Sequence, residues 1–343
     1  MNIINQRITK FIQLGEYLSK IDLNSKTYSN LLKIINSSTI KNKWFTKRTI
    51  LFALKNWSNS LSKKNINKWV SKYQIPKTIN QKKVALILAG NIPLVGFHDL
   101  LCILITGHKA VIKCSSNDDL LIPFIYNKIF EPNRIFKGNV VFEKKRLKDF
   151  DAVIATGSNN TSRYFDYYFS KVPNIIRKNR NGIAVIKGSE SVKELERLAE
   201  DIVSYFGLGC RNVSKVYVPK GYDLNLILKS LEKHSYLLNS NLYYNNYIYN
   251  KSVCTINNTK YLDNGFIIFK KSKSYSSPIG TLHYEYYEDL NKLKNKLKND
   301  KSKIQCIASK IKSINSVPYG DLNKPKLWEY ADNIDTINFL LNL

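Results

Sequence analysis

A chain of 343 residues with 43% hydrophobic content is long for one core and too apolar to be disordered, so two packed lobes are expected. Its 54 Lys and Arg against 26 Asp and Glu leave a formal charge of +28, which raises a nucleic-acid or membrane surface as a function. The excess is spread along the chain with abundant Asn, Ile and Tyr, as compositional drift toward A+T produces. No RNA- or DNA-binding motif accompanies it, so no sequence-specific nucleic-acid partner is expected.

Residues 1–76 read as helical: Ile8, Phe11, Ile12, Leu14 and Leu18 recur near helical spacing, as do Ile50, Leu51, Leu54 and Trp57. Pro76 and the polar run Lys77–Lys83 break the pattern. From Val84 strands and helices alternate. Val84–Ala89 is an apolar strand, Gly90–Pro93 a turn, Val95–Thr106 a helix and Ala110–Lys113 a strand. Asp118–Phe130 is a helix, and Val140–Phe142 and Ala152–Ala155 are strands. This βαβ order predicts a parallel sheet covered by helices. A second α/β stretch starts near Gly182, with a strand at Ala184–Ile186, an amphipathic helix over Ser191–Phe206 and another over Tyr222–Lys233. Residues 235–275, rich in Tyr and Asn, read as loops and short strands. No apolar signal region opens the chain and no run reaches membrane-spanning length, so the expected location is the cytoplasm.

Among five cysteines and four histidines no pair has CxxC or metal-ligand spacing, so neither a disulfide framework nor a zinc site is expected. Cys210 stands apart. It follows Phe206-Gly207-Leu208-Gly209 and precedes Arg211 and the alternating Ser214–Val218 strand. The glycines permit a sharp turn and close approach of a ligand. Arg211 favours a thiolate, the reactive form. A small buried hydrophobe is the competing reading of an isolated cysteine. The usual GxGxxG and GxxxxGK[ST] fingerprints are missing.

Four motifs occur in order: Gly90-Asn91-Ile92-Pro93-Leu94, Gly107-His108-Lys109-Ala110-Val111-Ile112-Lys113, Ala155-Thr156-Gly157-Ser158 and the Cys210 loop. In this order and spacing the chain resembles the aldehyde dehydrogenase superfamily. Over nearly its whole length it is similar to the LuxC-like acyl-CoA reductases, with "GNIPLVGFHDLL" and "PYGDLNKPKLWEYADNIDTINFLL" adding to the match. The resemblance implies an α/β fold of two Rossmann-like lobes with parallel sheets and an N-terminal helical segment. It implies a nicotinamide cofactor domain over 1–181, a catalytic domain over 182–318 carrying Cys210, and a tail over 319–343 packing back on the lobes or a partner subunit. It implies Cys210 as nucleophile and Asn91, with the Cys210 N–H, as oxyanion donor. Lys113 would contact the adenosine ribose, and Thr156, Gly157 and Ser158 would approach a cofactor phosphate. By themselves, these positions also read as a turn-forming Asn, an exposed Lys and an ordinary N-cap.

Two departures bear on the reaction. The superfamily's Glu-Leu-Gly-Gly stretch, whose glutamate activates water, corresponds to about Arg177–Gly182, which has no acid. Its Glu-x-Phe-Gly-Pro stretch corresponds to Ser274–Pro278, again without glutamate; Glu285 lies nearby. Without a base for water, an acyl-enzyme persists until a thiol exchanges with it. This favours thioester substrates, and with it the resemblance implies NADPH-dependent reduction of an acyl-CoA, fatty acyl groups favoured, with NADH as alternative cofactor, CoA as product and a homo-oligomer as assembly. The alternatives are a CoA-acylating dehydrogenase of a short aldehyde, and a degenerate basic binding module.

Overall fold

The computed structural model describes residues 2–343. The chain divides into two compact units. Unit 1 comprises the chain up to Lys178 together with Lys326–Leu343, and unit 2 is Asn179–Pro325. The expected tail at 319–343 is thus shared: its first residues belong to unit 2 and the rest to unit 1.

Unit 1 opens with four helices: α1 (Ile3–Ser19), α2 (Ser29–Lys41), α3 (Lys47–Ser60) and α4 (Lys63–Val70). The helical spacing noted in the sequence is the buried stripe of α1, where Phe11 and Leu14 are wholly covered. Phe11 packs edge-on against Phe130 at 5.7 Å between ring centroids. Polar side chains start three of the helices: Asn2, Thr46 and Ser62 each accept a backbone N–H of the first turn.

The sheet of unit 1 contains β1 (Lys83–Ile87), β2 (Lys109–Lys113), β3 (Val140–Phe142), β4 (Ala152–Thr156) and β5 (Asn174–Arg177), all parallel. Between them run α5 (Phe97–Thr106), α6 (Leu121–Ile125) and α7 (Asn159–Tyr168). The expected helix over Asp118–Phe130 is α6 followed by one π-type turn at Tyr126–Phe130. Helix α5 is apolar around nearly its whole circumference, which suits an element buried on all sides. The strand order is β3-β2-β1-β4-β5. The chain steps outward from β1 to β3 and then returns to the other side of β1. This switch point between β1 and β4 is where such sheets leave a crevice at their carboxyl edge.

Unit 2 contains a six-stranded sheet ordered β11-β6-β7-β10-β9-β8. Its strands are β6 (Asn181–Val185), β7 (Val213–Pro219), β8 (Tyr261–Asp263), β9 (Ile268–Lys271), β10 (Thr281–Tyr287) and β11 (Ile304–Ala308). All neighbours pair in parallel except the edge strand β8, which is antiparallel to β9. The helices are α8 (Val192–Val203), α9 (Asn225–Leu231), α10 (Asn241–Ile256) and α11 (Leu290–Asn299). Helix α8 starts with a capping box in which Ser191 and Glu194 bond reciprocally to each other's backbone N–H. Its Leu195, Leu198, Ala199 and Ile202 form the buried face.

Helix α10 corrects the sequence reading of 235–275 as loops and short strands. Its sixteen residues look like a low-complexity tract because Tyr and Asn alternate without an apolar stripe. Tyr243, Tyr247 and Cys254 nevertheless share the inward face, and Ser240 caps the first turn through the Tyr243 N–H. The Tyr247 hydroxyl donates to the Asp263 carboxylate at 2.9 Å, so a buried aromatic keeps its polar end satisfied.

Residues 326–343 close unit 1. Helix α12 (Thr336–Leu341) buries Ile337 and Leu340. The Trp69 indole N–H donates to the Tyr330 hydroxyl at 2.8 Å, and Arg177 donates to the Ala331 carbonyl at 2.7 Å. Among the described residues no helix is long and apolar enough to cross a membrane.

Candidate active site

In unit 1 the sequence-derived cofactor residues leave the sheet along one edge. Ile87 of β1 pairs with Lys113 on one side and Ala155 on the other. The Asn91 loop, Lys113 and the Thr156-Gly157-Ser158 turn therefore follow the carboxyl ends of β1, β2 and β4. The structure thus sets these five along the carboxyl edge of three adjacent strands.

Ser158 is the N-cap of α7, its hydroxyl accepting the Thr161 N–H at 3.2 Å. A Cβ added to Gly157 would lie 3.0 Å from the Phe165 ring and 3.1 Å from Thr161 Cβ, so glycine keeps this turn close to the helix start. A bare backbone turn beside a helix N-terminus fits the phosphate of a nucleotide cofactor. Lys113 points its ammonium at the Lys145 carbonyl, 2.9 Å away.

Asn91 is exposed in the loop after β1. Two buried side chains outside the sequence-derived candidates fix that loop. Asn42 donates to the Gly90 carbonyl at 3.0 Å, and Asp118 accepts the Leu94 N–H at 2.9 Å. Leu94 is left-handed, with φ 65°. Burial pushes the Asp118 carboxyl up to about 6, against the Leu94 N–H, which lowers it. Its folded pKa thus exceeds the value of an unfolded aspartate. The stability this proton confers is complete below about pH 4 and disappears as pH rises through 6. Asp118→Asn keeps an oxygen for Leu94 and removes the charge. It is expected to gain stability over the unaltered protein at pH 8 relative to pH 4, by at most about 3 kcal/mol, in paired denaturant titrations.

In unit 2, Cys210 occupies the turn between α8 and β7. Of the five cysteines it alone is exposed. Cys102 is buried, and burial raises its thiol well above the usual range. Cys114 is pushed up to about 12 by burial and by Asp118 and Asp119. Both are held as thiols near neutral pH. Arg211 donates through Nε to the Leu322 carbonyl at 2.5 Å.

The backbone after Cys210 packs on β6 at Gly182. A Cβ there would lie 2.5 Å from the Asn212 carbonyl oxygen and 2.6 Å from that of Arg211. Gly182→Ala is therefore expected to destabilise by about 1–3 kcal/mol, measured as a lower denaturant midpoint with unchanged slope.

The two stretches without glutamate have other partners. Arg177, at the end of β5, forms a buried ion pair with Asp99 at 2.5 Å. In Ser274–Pro278, the Tyr275 carbonyl accepts from Ser214 at 2.7 Å and its hydroxyl donates to Asp300 at 2.8 Å. Glu285 lies between two ammoniums, 2.6 Å from Lys215 Nζ and 2.6 Å from Lys296 Nζ. Burial raises its carboxyl, and the two lysines more than offset this and bring it below the usual range. Glu285 thus serves as counter-ion to a lysine whose side chain is wholly covered. Among the described residues no group of three His, Cys, Asp or Glu is arranged to hold a metal ion.

This architecture is that of the aldehyde dehydrogenases. The chain is similar to the aldehyde dehydrogenase KauB from Pseudomonas aeruginosa, with TM-score 0.61 and 15% identity over 85% of this chain and 69% of the other. It is also similar to aldehyde dehydrogenase 21 from Physcomitrella patens, solved with its product succinate, with TM-score 0.59 and 12% identity over 99% and 88% of the two chains. An aldehyde dehydrogenase from Mycobacterium tuberculosis, solved with NAD+, gives TM-score 0.58 and 12% identity over 86% and 70%. Within this fold, residues 15–232 match the acyl-CoA reductase (LuxC) family, and the chain belongs to that family. It is an oxidoreductase acting on aldehyde or acyl groups. No protein of curated function matches the chain.

Proposed function

We propose that the protein reduces an acyl-CoA, with a fatty acyl group as the favoured substrate, to an aldehyde at the expense of NADPH and releases CoA. The observation that carries the reading is that Cys210 alone among the cysteines is exposed, on the tight turn expected of a nucleophile, in a chain of the acyl-CoA reductase family. Its thiolate attacks the thioester carbonyl, and a new C–S bond forms. The Cys210 N–H and the Asn91 side-chain amide are assigned as donors to the oxyanion. Collapse breaks the bond to CoA, which leaves as a thiolate and takes a proton from water, and the acyl group remains on Cys210. Thr156, Gly157, Ser158 and Lys113 are assigned to hold the nicotinamide nucleotide, which supplies the hydride for reduction. The thiohemiacetal so formed returns the Cys210 thiolate and releases aldehyde. A homo-oligomer in the cytoplasm is part of the same proposal.

The test is purified protein with a panel of acyl-CoAs, following NADPH or NADH oxidation together with aldehyde and CoA. Stoichiometric aldehyde and CoA support the reading, and no turnover on any chain length sinks it. The reverse direction gives a second expectation. Supplied with an aldehyde and oxidised cofactor, the protein should yield little free acid unless CoA or another thiol is present. No acid side chain lies in Arg177–Gly182 to activate water, whereas part of a thiol is already thiolate near neutral pH. Rapid acid formation without CoA would point instead to a hydrolytic aldehyde dehydrogenase.

A further inference from the structure

Cys210 stands at the end of an unusual piece of backbone. After α8 the chain passes through three consecutive left-handed residues, Tyr205 (φ 52°, ψ 32°), Phe206 (φ 58°, ψ 22°) and Gly207 (φ 77°). Only the glycine adopts this conformation without a steric cost, and Tyr205 and Phe206 are both buried. Such strain persists where the surroundings over-determine it. The reversal also removes the N–H groups that would have continued α8, leaving its last carbonyls in need of donors.

One side chain answers both needs. Asn212, 2% exposed, donates through Nδ2 to the Asp201 carbonyl at 2.9 Å and to the Ser204 carbonyl at 2.7 Å. Its Oδ1 accepts the Gly209 N–H at 2.9 Å. The Asn212 N–H in turn donates to the Gly209 carbonyl at 2.9 Å. The turn Gly209–Asn212 is thus closed twice, by backbone and by side chain, with Cys210 at its second position. The same end of α8 holds the other neighbour of Cys210 from a distance. The Asp201 carboxylate accepts the N–H groups of Gly320 at 2.6 Å and Leu322 at 3.1 Å, and the Leu322 carbonyl receives Arg211 Nε.

We propose that Asn212 is a positioning residue for the nucleophile, clamping the Cys210 turn to the end of α8 so that the thiolate and the Cys210 N–H keep fixed directions. This rests on Cys210 being the acylated residue. The role requires one acceptor and two donors on one short planar group, a combination that only asparagine offers at this reach. Aspartate supplies the acceptor and sets a charge against two carbonyls; alanine supplies nothing.

The test compares the unaltered protein with Asn212→Ala and Asn212→Asp. Each is mixed with acyl-CoA without nicotinamide, and acyl mass on Cys210 is followed in time over a range of acyl-CoA concentrations. Iodoacetamide labelling of the buried Cys102 and Cys254, read by peptide mass, reports whether the fold is kept. The expected result is a saturating acylation rate lower by on the order of 10²-fold in both variants. The half-saturating acyl-CoA concentration should change by less than about threefold, because substrate contacts are kept while the reacting atoms are misdirected. Cys102 and Cys254 should stay unlabelled. Acylation at the unaltered rate in a folded variant overturns the proposal. So does exposure of Cys102 and Cys254 in both variants, which would make Asn212 a support of the fold as a whole. If the unaltered protein takes no acyl group at Cys210, the parent reading itself has failed.

Discussion

Cys210→Ala is expected to abolish acyl transfer. Acyl-CoA in the absence of nicotinamide should add the acyl mass to Cys210 of the unaltered protein and release one CoA per site. The variant should do neither, with turnover lower by about 10⁴-fold or more, because the covalent route through the exposed thiol is lost. Three of the four competing thiols are disqualified on separate physical grounds. Cys102 and Cys254 are buried, and Cys114 is held protonated by burial beside two aspartates. Acyl mass on any of these or on the half-buried Cys306, or retained turnover in the variant, would overturn the assignment.

Asn91→Ala is the second large effect. It should leave the thermal transition within a few degrees of the unaltered protein, since Asn91 is exposed and its loop is fixed through Gly90 and Leu94. The acylation rate should fall by about 10²–10³-fold, or roughly 3–4 kcal/mol, as one oxyanion donor is removed. The effect belongs in the saturating rate, because the donor acts on charge that develops only as the thiolate attacks. A stable variant with unchanged single-turnover acylation would reduce Asn91 to a turn residue.

The alternation of strand and helix from Val84 onward was legible because each strand of unit 1 is a compact apolar run bounded by turns. The exception is β5, which the sequence reading left out. Only Ile175 and Ile176 are apolar there, and the strand ends on Arg177, whose partner Asp99 lies 78 residues earlier. Helix α10 was missed for the opposite reason. Tyrosine and asparagine suit neither period strongly, and what selects the helix is burial of three side chains and the Tyr247–Asp263 bond. The candidate catalytic positions were legible only through motif order and spacing. The residues that hold them in place were not. Asn42, Asp118 and Asp201 act on backbone groups 24 to 121 residues away in sequence, and no local pattern distinguishes them from surface asparagines and aspartates. Asn212 lies within three residues of its first partner, Gly209. Its position two residues after the Gly-x-Gly-Cys turn is a local signal, yet it is not among the candidate residues drawn from the sequence.

The order of the units along the chain has a consequence for synthesis. Unit 2 is continuous, whereas unit 1 begins before it and is completed by Lys326–Leu343 after it. On the ribosome, the sheet of unit 2 can therefore close while the earlier-made helices and strands still lack Tyr330, Ile337 and Leu340, all buried in unit 1. His108 meanwhile waits for the Leu340 carbonyl, its partner at 2.9 Å, and Trp69 for the Tyr330 hydroxyl. Domains generally mature in the order in which they emerge. Here the unit begun first is finished last, so its apolar α5 stays incompletely covered through the translation of unit 2 and is the segment a nascent-chain chaperone would meet.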